Sequence, residues 1–229
     1  MKIGLLECDH VADKFLHISG TYPEMFASLL PDVEFQIYDA CNGEFPESID
    51  ECDAYTTTGS RYSVYDKFDW ILQLKDFIFQ LHQKEKKFVG VCFGHQMIAE
   101  ALGGKVLKSE KGWNVGLHSF EIIAKESWMN PFQQNINFLM MCQDQVIKMP
   151  ANSKIVAQSD NCSVGMFTVG ENMLGIQAHP EFTNEYEKAF MLSRVDRIDE
   201  KTIQKAIESL EKSPDKKLIR AWIMNFLKR

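Results

Sequence analysis

KFVGVCFGHQMIAEALGG, residues 87–104, passes from an apolar strand into a helix with no loop between them. Lys87 to Cys92 reads as a short buried strand and Phe93 to Leu102 as a compact helix, which Gly103-Gly104 ends with a pair suited to a left-handed cap. Upstream the same alternation recurs. Lys2 to Glu7, Val33 to Tyr38 and Asp53 to Thr57 read as strands. Between the first two lies a helix opened by Thr21, Pro23 and Glu24, with Met25, Phe26, Leu29 and Leu30 on one face and Pro31 as its stop. Trp70, Ile71, Leu74, Phe77, Ile78 and Leu81 fall on one face of a 3.6-residue helix. Strands alternating with helices imply right-handed crossovers and a parallel sheet covered on both faces. The fold class is therefore α/β, an open, mostly parallel, doubly wound sheet.

From Val115 the rhythm changes. Leu117 to Ile123, Ile136 to Met141, Lys154 to Gln158, Val164 to Val169 and Met173 to Ala178 are short strand-like runs separated by Pro, Asn, Ser and Gly, which predicts an added short β layer. After Phe182 the chain turns helical and charged. It ends on Leu218, Ile219, Trp222, Ile223, Phe226 and Leu227 at helical spacing behind Pro214, a stripe expected to dock on the sheet. No repeat or flexible linker is visible. Residues 1–190 are read as one α/β domain, with 191–229 a helical C-terminal segment packed on it.

Composition bounds the function. The 229 residues hold 25 Lys+Arg against 32 Asp+Glu, a formal net charge of −7, which argues against binding to a phosphate backbone. A hydrophobic fraction of 45% is ordinary for a packed domain. No run reaches the roughly 20 apolar residues of a membrane span, and MKIGLLECDH lacks the features of a secretory leader, so a cytoplasmic location is expected. The six cysteines show neither CxxC pairs nor a Cys/His rhythm, so no metal site or disulfide framework is expected.

Cys92 stands where the strand becomes the helix, at the carboxyl edge where open α/β sheets bind ligands. Alone, it would read as a small buried apolar residue. Gly90 and Gly94, two residues to either side, change that reading, because a sharp strand-to-helix elbow leaves no space for side chains there. The helix N-terminus favours a thiolate. A thiolate nucleophile needs a histidine that keeps its proton nearby, and that histidine needs a carboxylate to hold its tautomer. His179-Pro180-Glu181 follows an apolar strand and offers both, although by itself it reads equally as a surface turn.

With GVCFGHQ followed by Gly103-Gly104 and then IQAHPEF, the chain resembles the class I glutamine amidotransferases over residues 1–190. TTGSRYSVYD, WNVG and CQDQV are similar to stand-alone bacterial members described as GMP synthase-like, and to plant γ-glutamyl peptidases. The resemblance implies a flavodoxin-like fold and a Cys92-His179-Glu181 triad that cleaves a γ-glutamyl amide through a γ-glutamyl thioester. It implies backbone N–H groups of Gly59 and Phe93 as the oxyanion hole, Ser60 assisting, and Gln96 holding the substrate. Cys142 stands where many relatives have a histidine, and the resemblance implies that its segment (Cys142, Gln143, Asp144) contributes to the glutamine pocket as it does in those relatives. Residues with weaker indications are Cys8, Asp9 and His10, read as loop caps or a second Cys/His site, His95, read as helix packing, and Arg61, Tyr62 and Tyr65, read as substrate-shaping or as solvated loop.

No GxxxxGK[ST], GxGxxG or SGGxDS-type loop is present, so the chain cannot activate an acceptor with ATP by itself, and no cofactor is expected. The main functional expectation is a glutaminase that supplies ammonia to a separate synthetase subunit. The alternative is a stand-alone peptidase of γ-glutamyl peptides or amines, and a non-catalytic binding module is a third class. Glutamine or another γ-glutamyl small molecule is the expected partner. The oligomeric state is left open.

Overall fold

The computed structural model describes residues 1–229. The first half alternates strand and helix: β1 Lys2–Leu6, α1 Asp13–Ser19, α2 Tyr22–Leu29, β2 Glu34–Tyr38, β3 Ala54–Thr57, α3 Asp69–Gln83, β4 Lys87–Val91 and α4 Phe93–Ala101. Then come β5 Lys105–Lys108, β6 Asn114–Ile122, β7 Asn135–Cys142, β8 Asp144–Lys148, β9 Ser153–Ser159, β10 Cys162–Val169 and β11 Met173–Ile176. The helices α5 Asn184–Leu192, α6 Glu200–Ser209 and α7 Lys216–Leu227 close the chain.

Nine strands form one mixed sheet in the order β2-β1-β3-β4-β11-β10-β9-β6-β7. The half from β2 to β11 is parallel and the half from β11 to β7 antiparallel. The α/β class is as expected. The added β structure after Val115 is present too, but most of it continues the main sheet, and only β5 and β8 form a separate two-stranded sheet. Short connections such as Asp160-Asn161 between β9 and β10 favour this outcome, since antiparallel neighbours need no crossover.

β11 is the strand that matters most for the site. It returns from the antiparallel half to lie parallel to β4, with Ile176 level with Val91 and the Cys92 N–H donating to the Ile176 carbonyl at 2.8 Å. Every residue of β3 and β11 is buried, as central strands covered on both faces require. α3 and α4 cover one face through Leu74, Ile78, Leu81, Met97 and Ile98. α2 and α7 cover the other, where Trp222 and Phe226 pack with Val89, Val91 and Ile176. α5 and α6 build a third cluster around Phe182 and Tyr186 with Leu139 and Met141 of β7.

The helix expected after Thr21 begins there, with a capping box in which Thr21 accepts from the Glu24 N–H and Glu24 accepts from the Thr21 N–H. α1 had no counterpart in the sequence reading: its N-cap is Ala12, it buries only Phe15, and so it carries neither a cap signal nor an apolar stripe. No helix is long and apolar enough to cross a membrane.

Candidate active site

The elbow holds Cys92 at φ 49°, ψ −93°, a backbone conformation that side-chain-bearing residues rarely adopt. Its glycines have identifiable neighbours. A Cβ on Gly90 would lie 2.4 Å from the Gly94 carbonyl group, and one on Gly94 would lie 1.8 Å from Thr57 Oγ1 on β3. The backbone turns that tightly only without them, and the turn places the sulfur over the carboxyl edge of the sheet.

Three residues past its backbone bond to Cys92, the segment after β11 delivers His179, whose own N–H donates to the Leu139 carbonyl at 2.8 Å. His179 Nδ1 bonds Glu181 Oε1 at 2.7 Å, and the Phe182 ring stacks on the imidazole with centroids 4.0 Å apart. Cys92, His179 and Glu181 are all buried. Burial opposes charge on His179, but the facing Cys92 and Glu181 outweigh it and hold the imidazole well above its ordinary pKa. The second oxygen of Glu181 has no hydrogen-bond partner, so the imidazole is the one group that bonds its carboxylate.

Gly59, in the loop after β3, abuts the pair: a Cβ there would stand 2.8 Å from His179 Cε1 and 3.8 Å from Cys92 Cβ. The backbone N–H groups of Gly59 and Phe93 donate to no acceptor within the chain. The loop is pinned from behind. Thr58 Oγ1 accepts from the Cys8 N–H, Ser60 Oγ donates to the Cys8 carbonyl at 2.8 Å, and Asp9 accepts from the backbone N–H and side chain of Arg61. Cys8 and Asp9 are therefore loop anchors, and Ser60 spends its hydroxyl proton on the loop although it lines the cavity. His10 leans outward on Asp39 at 3.1 Å.

A cavity of about 500 Å³ opens over Cys92. Gln96, Cys142, Gln143 and Asp144 line it, together with Arg61, Tyr62 and Tyr65. Gln96 Nε2 donates to the Asp144 carbonyl at 2.8 Å and to Gln177 Oε1 at 3.2 Å, while its own oxygen accepts nothing within the chain. Cys142 is buried, and that burial, with Cys92 nearby, pushes its thiol well above the ordinary pKa. His95 is not at the site. It packs edge-on to Phe167 with its pKa pushed down to about 3 by burial, the neutral helix residue expected.

Several site residues escaped the sequence reading. Gln177 approaches the Cys92 sulfur at 3.7 Å from two positions before His179. Tyr22, Trp113, Phe182, Phe190, Arg194 and Arg197 line the cavity. Gln177 and Phe182 flank the triad residues inside the IQAHPEF segment, Phe190, Arg194 and Arg197 come from α5 and the turn after it, and Tyr22 and Trp113 arrive from α2 and the approach to β6.

The family described as Glutamine amidotransferase class-I matches residues 64–196, more than half the chain and including the elbow and the HPE segment. The chain belongs to this family. It is 34% identical over 227 residues to gamma-glutamyl peptidase 4 of Arabidopsis thaliana, covering 92% of this chain and 88% of that protein. To gamma-glutamyl peptidase 2 of the same plant it is 30% identical, covering 91% and 88%. A solved glutamine amidotransferase from Thermotoga maritima superposes with a TM-score of 0.79 over 99% of both chains at 20% identity, so the two share a fold.

Proposed function

We propose that the chain is a γ-glutamyl peptidase that hydrolyses the γ-amide bond of γ-glutamyl peptides with Cys92 as nucleophile. The observation that carries this is the buried line Cys92-His179-Glu181 beneath a cavity of about 500 Å³. That volume lies in the range of roughly 300–1,000 Å³ for sites that enclose ligands larger than a free amino acid. Peptidases among the similar proteins support it as well.

The chemistry follows from the atoms present. Glu181 accepts a hydrogen bond from the His179 Nδ1–H and leaves Nε2 for the sulfur. The Cys92 thiolate attacks the γ-carbonyl carbon, and the oxyanion forms where the Gly59 and Phe93 N–H groups have no other acceptor. His179 gives its proton to the leaving nitrogen, the amine departs, and a γ-glutamyl thioester remains. Water, deprotonated by His179, then releases glutamate and restores the thiol. On the acyl side, the free oxygen of Gln96 suits the substrate's ammonium group, with Asp144 beside it.

The ammonia-donor reading uses the same steps with glutamine as substrate, and the family's name favours it. Glutamate release from glutamine and from a series of γ-glutamyl dipeptides separates the two. The expected result is a dipeptide kcat/KM well above that for glutamine, with Cys92→Ala at background on both. Glutamine preferred, and stimulated by an added synthetase, would assign the chain to ammonia supply instead.

A further inference from the structure

Two cations that line the cavity have no counter-ion within the chain, the exposed Lys108 and Arg194. Arg194 follows the end of α5, partly buried, with its guanidinium 3.7 Å from the centroid of the Phe190 ring. Its hydrogen bond is a long one to the Phe190 carbonyl at 3.4 Å, and no carboxylate pairs with it. Burial pulls its pKa below the ordinary arginine value, the sign of a cation partly withdrawn from water. Stacking on Phe190 fixes the plane of the guanidinium, so its donors are pre-aimed.

The surrounding charge has the same sign. Arg61, Lys108, Arg194 and Arg197 line the cavity against Asp9 and Asp144, in a chain whose net charge is −7. Asp9 is already committed to Arg61 and Arg197 reaches Asp196 at 3.5 Å, which leaves Lys108 and Arg194 against Asp144 alone. The cavity thus carries unanswered positive charge, which marks it for an anionic group of the ligand.

The position of Arg194 says which group. In the proposed reaction His179 protonates the leaving nitrogen, so the leaving group lies on the His179 side of Cys92. On that side Phe182 stacks on the imidazole, Phe190 packs against Phe182, and Arg194 stacks on Phe190. Gln96 and Asp144, joined to each other, form the acyl side. We propose that Arg194 binds the free carboxylate of the departing amino acid or peptide, so that the preferred substrates are γ-glutamyl peptides with an unblocked C-terminus. This rests on Cys92 cleaving γ-glutamyl amides.

The test compares γ-glutamyl-alanine with γ-glutamyl-alaninamide, which differ only in the leaving-group carboxylate, and adds glutamine, which carries the glutamyl α-carboxylate alone. Wild type should favour the acid over the amide by about 10- to 100-fold in kcat/KM, the range of a charge-assisted hydrogen bond. Arg194→Gln should bring that ratio close to one, and Arg194→Lys should keep part of it. A purely structural role would lower all three substrates together and leave the ratio intact. An unchanged ratio in Arg194→Gln, equal use of acid and amide by wild type, or a loss shared by glutamine each overturns the assignment. Turnover that persists in Cys92→Ala would instead sink the peptidase reading, and the Arg194 subsite with it.

Discussion

His179 is where the residue-level chemistry is decided. Its imidazole is pinched between the Cys92 sulfur and Glu181 Oε1, and both raise its pKa against the opposing effect of burial. A raised histidine stays protonated to higher pH than a free one, so the imidazolium facing Cys92 is lost only as pH rises through the elevated value. Removing the carboxylate should move that loss downward. Glu181→Gln is expected to shift the alkaline limb of the kcat/KM profile toward the ordinary histidine value of about 6.5 and to lower kcat by at least about tenfold, because the tautomer is no longer held. The pH dependence of Cys92 alkylation gives an independent readout. An alkaline limb that stays in place in Glu181→Gln would show that Cys92 alone sets the imidazole.

The elbow is an element-scale device, and its constraint lies between elements. Gly94 opens α4, but the atom it must clear is Thr57 Oγ1 on β3, a buried hydroxyl with no hydrogen-bond partner. Gly94→Ala should destabilise the fold by about 1–3 kcal/mol, the usual cost of forcing a methyl into a packed site. In Gly94→Ala with Thr57→Ala the nearest obstacle becomes the Thr57 Cβ, at 3.1 Å from the added methyl, so most of the loss should be recovered. Denaturant unfolding of the two single variants and the double variant measures the coupling, and additive losses would contradict the contact. The same distinction explains what could be read before the fold was known. The α3 stripe, the Thr21 cap and the glycine spacing around Cys92 are local, so they were legible along the chain. That β11 slots in beside β4 is not local and decides Gln177, the Asp9-Arg61 pinning of the loop follows from β1 lying beside β3, and Arg194 follows from α5 packing on β6 and β7. The antiparallel extension of the sheet went unread for the same reason: strand periodicity gives a strand's faces, not its neighbours.

At the scale of the whole molecule, α5 ties the site to overall stability through Glu187. This carboxyl is fully buried, accepts the Gly116 N–H of β6 at 3.0 Å, and has its second oxygen unpartnered. Burial pushes its pKa up to about 7, while the Gly116 N–H, His179 and Arg194 act to lower it and Glu181 acts to raise it. Gly116 needs its φ of +84° here, and Ala206 of α6 stands against it, so strand β6, α5 and α6 all meet at this carboxyl. An acid whose pKa is higher when folded binds its proton more tightly in the native state, so stability falls as pH rises from the ordinary value of 4.5 to about 7 and stays reduced above it. That interval of roughly 2.5 units corresponds to ~3 kcal/mol. Glu187→Gln keeps an acceptor for the Gly116 N–H and cannot ionise. Its stability should therefore match wild type near pH 4.5, exceed it increasingly toward pH 8, and level off beyond. Urea midpoints for the two proteins across this range carry the test, and a difference independent of pH would mean that Glu187 keeps its ordinary pKa despite its burial.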